Sequence, residues 1–149
     1  MTDDDRVRLI EQYQRHEDAV AVLHPPTRFR MFKDSESKWT IGWGRNLEDR
    51  GLSPDEADYL LGNDLTDAER DLQRTFPWFR ALDSVRQAVL TELCLNLGLT
   101  RLLTFEKALR AMARRDYERA AEEFFDSRWA TQVGHRAVEI CDQIRAGRW

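Results

Sequence analysis

The apolar pattern of this chain changes period at Ser53, and that switch limits the folds open to it more than any other feature. Upstream, short runs with strand character are broken by Gly and Pro. Residues 19–23 and 28–32 flank His24-Pro25-Pro26-Thr27, a turn-like break between two candidate strands. Residues 39–43 read as a third strand, with Gly42 and Gly44 allowing a bulge or a close backbone approach. At the switch, Ser53-Pro54-Asp55-Glu56 combines an N-cap serine, proline at the first helical position and a capping-box glutamate. Everything after it reads as helix. The spacing predicts a long helix to about Arg74, broken at Thr75-Phe76-Pro77-Trp78, and a central core helix over 82–97 closed by Gly98. Shorter helices follow at about 105–115, 117–127 and 134–146, with Thr104 and Asp116 as caps for the first two. A first helix is expected from a cap at Asp4 or Asp5 to near Glu17, with Val7, Leu9, Ile10 and Tyr13 as a rough apolar stripe. The class this gives is α+β, mostly α.

At 149 residues the chain is one domain, or one domain folded as two lobes, and is long enough to bury a core without disulfide or metal staples. The net charge of -4 argues against a nucleic-acid binder, because neutralising phosphates needs a basic surface. It also suits an anionic substrate poorly unless local basic patches compensate. Cys94 and Cys141 fall in apolar helical stretches and read as buried free thiols. No apolar run approaches a membrane span, and the N-terminus lacks the basic-then-apolar build of a signal peptide. The expectation is accumulation in the cytoplasm, with a separate route to any target outside it.

Three polar residues upstream of the switch form a candidate constellation: Glu17 at a helix end, Asp34 just ahead of a strand, and Thr40 on that strand. Two carboxyl groups on opposite walls of a cleft are what glycoside hydrolysis needs, one to protonate the leaving oxygen and the other to activate water or attack the sugar. A short hydroxyl beside a carboxylate can hold that water. On position alone a solvated helix glutamate explains Glu17 equally well, so spacing leaves both readings open. His16-Glu17 matches half of a zincin helix, but position 20 is Val and no second histidine follows at the needed spacing, so neither metal nor other cofactor is expected. Trp78, Trp129 and Trp149 read as packing anchors, Trp43 as a sugar-stacking candidate and His135 as a cap or surface residue.

The order of these residues carries a resemblance. Lys33-Asp34, Glu36 and Trp39-Thr40-Ile41-Gly42-Trp43-Gly44 resemble the signature of the phage lysozymes, glycoside hydrolase family 24, of the T-even phage type. Arg15-His16-Glu17 is similar to that family's catalytic glutamate segment. The likeness continues through 51–57, 60–64, 83–88, Ser127-Arg128-Trp129, Arg136 and 145–149. It implies a lysozyme-like fold, with a small antiparallel β lobe over about 14–60. A larger helical lobe over about 65–149, plus the N-terminal helix, is joined to it by a long helix with a cleft between. It also implies roles. Glu17 is the general acid, Asp34 the second carboxylate, and Thr40 the hydroxyl that helps place the hydrolytic water. Arg136 pairs with the catalytic glutamate. Glu36 and Arg128 face each other across the cleft mouth, and Asn46 and Asn96 contact substrate. The residue after Gly44 is commonly histidine paired with an aspartate on the long helix. Here the positions hold Arg45 and Asp64, a pair that stays charged at ordinary pH.

The expected substrate is bacterial peptidoglycan, cut between N-acetylmuramic acid and N-acetylglucosamine, with inversion. A holin-type pore would release the enzyme to act in the periplasm. The enzyme is expected to act as a monomer. Asp34 with Thr40 favours hydrolysis over lytic transglycosylation, which can manage without a second carboxylate. The sequence departs from the family between Glu17 and Asp34, where the connection is longer than usual. Asp18 and Ser37 stand where glycine is preferred. Arg28 and Arg30 alternate there with Phe29 and Met31 and would face one side of a strand, able to meet stem-peptide carboxylates; a lengthened surface hairpin with no task is the alternative. A lysozyme-fold wall-binding or phage structural protein with decayed catalysis is the competing class.

Overall fold

The computed structural model describes residues 1–17 and 29–149, the side chain of Glu17 excepted. The strand expected at 19–23, the turn at 24–27 and Arg28 therefore lie outside the described residues. The chain divides into two compact units, Met1–Ala57 and Asp58–Trp149.

In the first unit, α1 runs over Asp3–Glu17. Its cap is Thr2, upstream of the expected Asp4 or Asp5. The Thr2 hydroxyl accepts from the Asp5 N–H at 3.1 Å, and the Asp5 carboxylate accepts from the Thr2 N–H in return at 3.1 Å, a reciprocal capping box. Three short strands follow, β1 (Phe32–Lys33), β2 (Trp39–Ile41) and β3 (Arg45–Asn46). They form an antiparallel sheet in the order β1-β2-β3, with Phe32 opposite Thr40 and Thr40 opposite Asn46. The predicted strand at 39–43 stops at Ile41. Gly42 and Gly44 take φ of +62° and +82° and turn the chain through three residues into β3, which periodicity did not reveal.

Helix α2 (Pro54–Thr75) starts where the sequence places it. The Glu56 N–H donates to the Ser53 hydroxyl at 3.2 Å, and the Ser53 N–H donates to the Glu56 carboxylate at 2.8 Å. After a 3-10 turn at Phe79–Ala81 come α3 (Ser84–Leu97), α4 (Leu99–Leu102), α5 (Glu106–Ala113), α6 (Tyr117–Phe125), α7 (Arg128–Val133) and α8 (His135–Ala146). Asp83 caps α3 and Gly98 ends it at φ +77°, the stop expected from sequence. Asp116 caps α6 as expected, whereas α5 begins without a side-chain cap and the Thr104 hydroxyl donates instead to the Arg101 carbonyl. The short helices α4 and α7 are too brief for a periodic signal.

The core lies in the second unit. Leu72, Phe79, Leu90, Leu93, Met112, Phe124 and Ile144 are fully buried, and Trp129 joins them. Trp78 packs against this core, but Trp149, expected as an anchor, is 81% exposed. Both cysteines are buried free thiols. Arg86 of α3 ties the end of the chain down. Its guanidinium donates to the Ile144 and Arg145 carbonyls at 2.7 Å, pairs with Asp83 and lies over the Tyr117 ring at 3.5 Å. The last carbonyls of α8 have no intrahelical partner, and a cation there also complements the helix dipole. In the first unit, the only buried residue among those described is Thr40. No helix among the described residues is long and apolar enough to cross a membrane.

Candidate active site

Asp34 follows β1 and opens a tight turn. Its carbonyl accepts from the Ser37 N–H at 2.9 Å, and its own N–H donates to the Lys38 carbonyl at 3.0 Å. Its carboxylate is used asymmetrically. Oδ1 accepts the Glu36 and Lys38 backbone N–H groups, each at 2.9 Å, which fixes the side chain against its own turn. Oδ2 is left facing the Thr40 hydroxyl at 3.3 Å. Thr40 Oγ1 also lies 3.3 Å from the Lys38 carbonyl, so one hydroxyl hydrogen has two acceptors, both at long range. Thr40 is 3% exposed, between Phe32 and Asn46 of the flanking strands. The sheet thus brings Asp34 and Thr40 together as expected, with one carboxylate oxygen spent on structure and one on the hydroxyl.

Ser37 has φ +63°. The turn requires the left-handed region at that position, which explains physically why a glycine is preferred there and what the serine costs.

The neighbouring turn braces this one. The Asn46 amide exchanges hydrogen bonds with Asp49, donating to its carboxylate at 3.0 Å and accepting its N–H at 2.9 Å. Asp49 also pairs with Lys38 at 3.0 Å, and Glu48 accepts the Trp39 N–H at 2.9 Å. These two acidic partners are readings the sequence missed; only their position in a polar turn after β3 pointed to them. Glu36 is exposed beside Asp34. Phe29 packs edge-on against Trp43 with centroids 4.9 Å apart, and Lys33 lies over Trp39 at 5.1 Å. Arg30 is exposed.

Arg45 is engaged within its own unit. Its guanidinium makes a two-pronged contact with Glu56, at 2.9 and 2.8 Å, and donates twice to the Gly51 carbonyl. Asp64, the partner the resemblance implies, belongs to the other unit. Four of its five N–H groups are thereby used. Glu56, already the capping-box residue of α2, is held ionised: the Ser53 N–H and then Arg45 draw its carboxyl below the usual glutamate range. Asp64 is an exposed residue of α2.

In the second unit, Arg136 pairs with Glu92 of α3 at 2.8 Å, at one wall of a groove of about 600 Å³ that Leu65, Ala88, Thr91 and Leu95 also line. Its expected partner, the Glu17 carboxyl, lies outside the described side chains. Asn96 is exposed and its side-chain oxygen accepts the indole N–H of buried Trp129 at 3.1 Å. Arg128 is exposed at the start of α7, and His135 at the start of α8. Among the described residues no group of His, Cys, Asp and Glu is arranged to hold a metal ion.

A mostly helical chain with a small three-stranded antiparallel sheet, on which a turn-anchored carboxylate meets a buried threonine hydroxyl, has the construction of a lysozyme-type glycoside hydrolase. The chain belongs to the phage lysozyme family, whose model matches residues 26–143. That stretch contains Asp34, Thr40 and every other candidate site residue except Glu17. The chain is 22% identical to the probable T4-type lysozyme 1 of Dictyostelium discoideum, over 80% of this chain and 88% of that protein. It is 29% identical to the pre-baseplate central spike protein Gp5 of Enterobacteria phage T4, over 64% of this chain but only 17% of that much longer protein. Family membership makes this protein a peptidoglycan hydrolase of the lysozyme class.

Proposed function

We propose that the protein cleaves the β-1,4 bond between N-acetylmuramic acid and N-acetylglucosamine with inversion at the anomeric carbon, in phage-type lysis from the periplasmic side after release through a holin-type pore. The observation that carries this reading is the Asp34–Thr40 pair: a carboxylate oxygen and a hydroxyl 3.3 Å apart, on a turn whose other oxygen is fixed by two backbone N–H groups. In the proposed step Glu17 gives its proton to the leaving glycosidic oxygen as the bond from the anomeric carbon breaks. Water attacks from the opposite face of the sugar, its lone pair forming the new C–O bond and its proton passing to Asp34, with Thr40 orienting it. Asn46, Glu36, Asn96 and Arg128 carry the substrate contacts in this reading. A lytic transglycosylase has no need of a water-activating carboxylate, which is why Asp34 favours hydrolysis.

Clearing of outer-membrane-stripped Gram-negative cells, followed across a pH series, tests the reading. Wild type should clear them, and Glu17→Gln should lower the rate by about 10²-fold or more, the usual worth of a general acid, with an unchanged Tm. NMR of the initial product should show the inverted anomer. Retained configuration or an anhydro-sugar product overturns the mechanism. No clearing by wild type at any pH indicates the wall-binding protein instead.

A further inference from the structure

Directly opposed residues of an antiparallel sheet point to the same face, so the register Phe32–Thr40–Asn46 lines up one row of side chains across all three strands. Thr40 sits buried in the middle of that row, and the contact from its hydroxyl puts Asp34 Oδ2 on the same face. Asn46, held by Asp49, closes the row on one side. Phe32 closes it on the other. Its ring is 45% exposed, on an edge strand two residues long.

The neighbouring rings are taken up by other partners. Trp39 lies on the opposite face of β2 beside its cross-strand partner Lys33, whose ammonium stands over its ring. Phe29 packs edge-on against Trp43. Phe32 has no ring or cation partner among the described residues. Edge strands are ordinarily protected by charge or proline, and an exposed phenylalanine there breaks that rule in the way functional sites do. An aromatic wall beside a few polar groups is also the usual make-up of a small-ligand site, the ring supplying area and the polar groups orientation.

We propose that Phe32 is a substrate-contacting residue whose ring packs against the C–H face of the sugar that Asp34 and Thr40 act on, a role that rests on the reading of those two as the water-activating pair. In the inverting step water approaches a β-linked sugar from its α face. In the chair form that face carries the axial hydrogens of C3 and C5 and is apolar, while the hydroxyl and amide groups point outward around the ring. A phenyl ring removes this face from water and has no hydrogen bond of its own to satisfy. Adjacent strands lie about 4.7–4.9 Å apart, a spacing comparable with the breadth of one pyranose ring. A sugar seated on Phe32 therefore reaches over Thr40 and Asp34 Oδ2, which holds its anomeric carbon near the water they orient.

The test is calorimetric titration with a thioether-linked tetrasaccharide of alternating N-acetylglucosamine and N-acetylmuramic acid, a ligand that resists cleavage whichever carboxyl group acts. Phe32→Ala should bind it about fivefold or more weakly than wild type, whereas Phe32→Tyr and Phe32→Trp, which keep an aromatic face, should stay within about twofold. Phe125→Ala removes a similarly exposed ring from the second unit and should change nothing. Nuclear Overhauser contacts from the Phe32 ring to the C3 and C5 hydrogens of a bound sugar are a signal that a merely structural role would not produce. Wild-type affinity in Phe32→Ala overturns the proposal. So does a loss of affinity without those contacts, or no binding by wild type at millimolar ligand. Release of reducing ends from the natural oxygen-linked glycan, with the product anomer followed by NMR, separates the two readings. Phe32-dependent binding with no hydrolysis, or with retained configuration, defeats the catalytic assignment and leaves Phe32 as a glycan contact. Inverting hydrolysis with unaltered binding by Phe32→Ala defeats only the contact.

Discussion

At the scale of single residues, this structure uses carboxylates twice. Asp34 builds its own turn with Oδ1 and offers Oδ2 to Thr40. Glu56 closes the capping box of α2 and holds Arg45. The second case has a measurable pH signature. The Glu56 carboxyl lies below its ordinary value near 4.5 because the Ser53 N–H and the Arg45 guanidinium favour its charged form. A depressed folded-state pKa stabilises above the unfolded value and loses that contribution as pH falls through the folded one. The Tm difference between wild type and Glu56→Gln should therefore be constant from pH 8 to about 5 and shrink in acid below about 4.5. Arginine cannot lose its proton in this range, whereas a histidine at position 45 would lose its charge near pH 6.5. Thermal melts of the two proteins across pH 3–8 decide the point, and a difference that fades between pH 6 and 7 would refute it.

At the scale of elements, the legible features were those encoded within a few residues. Ser53 to Glu56, Gly98 and Asp116 are local caps, and each terminus they mark is where the sequence places it. The Asp34–Thr40 contact was legible for the same reason, since a turn of fixed length carries one to the other. What escaped was long-range or doubly assigned. Asn96 finds Trp129 across 33 residues. Glu92 meets Arg136 across 44 residues. Arg45 takes a glutamate already accounted for by a cap. The strand β3 is two residues long, below what alternation can reveal. Arg86 is the strongest such omission: nothing in its sequence neighbourhood points to carbonyls 58 and 59 residues away. Its side chain is 11% exposed, so removing the fork leaves two helix-end carbonyls poorly solvated. Arg86→Lys keeps the charge and loses the planar geometry. It should cost about 2–3 kcal/mol in urea unfolding, from two lost charge-assisted hydrogen bonds and the stacking on Tyr117. A loss under about 0.5 kcal/mol, the range of an ordinary surface change, would show that the fork contributes only its charge.

At the scale of the whole molecule, burial is unevenly shared between the units. The second holds the entire described apolar core, from Ala68 through Ile144. The sheet of the first keeps only Thr40 fully covered, while Phe32, Trp39 and Met31 remain largely exposed. Short strands joined by polar turns and braced by exposed ion pairs such as Lys38–Asp49 have little apolar area to hold them closed. Local opening there should therefore cost much less than global unfolding. Hydrogen exchange resolves this residue by residue. The amides of Leu90, Leu93, Ile140 and Ile144, inside α3 and α8, should exchange only near the global free energy. Those of β2 should exchange about 100-fold faster or more, through sub-global opening that leaves the second unit protected. If the β2 amides instead match those of α3 in the same urea series, the sheet carrying Asp34 and Thr40 is as rigid as the core. The positioning of those two residues would then depend on stabilisation beyond the contacts of their own sheet.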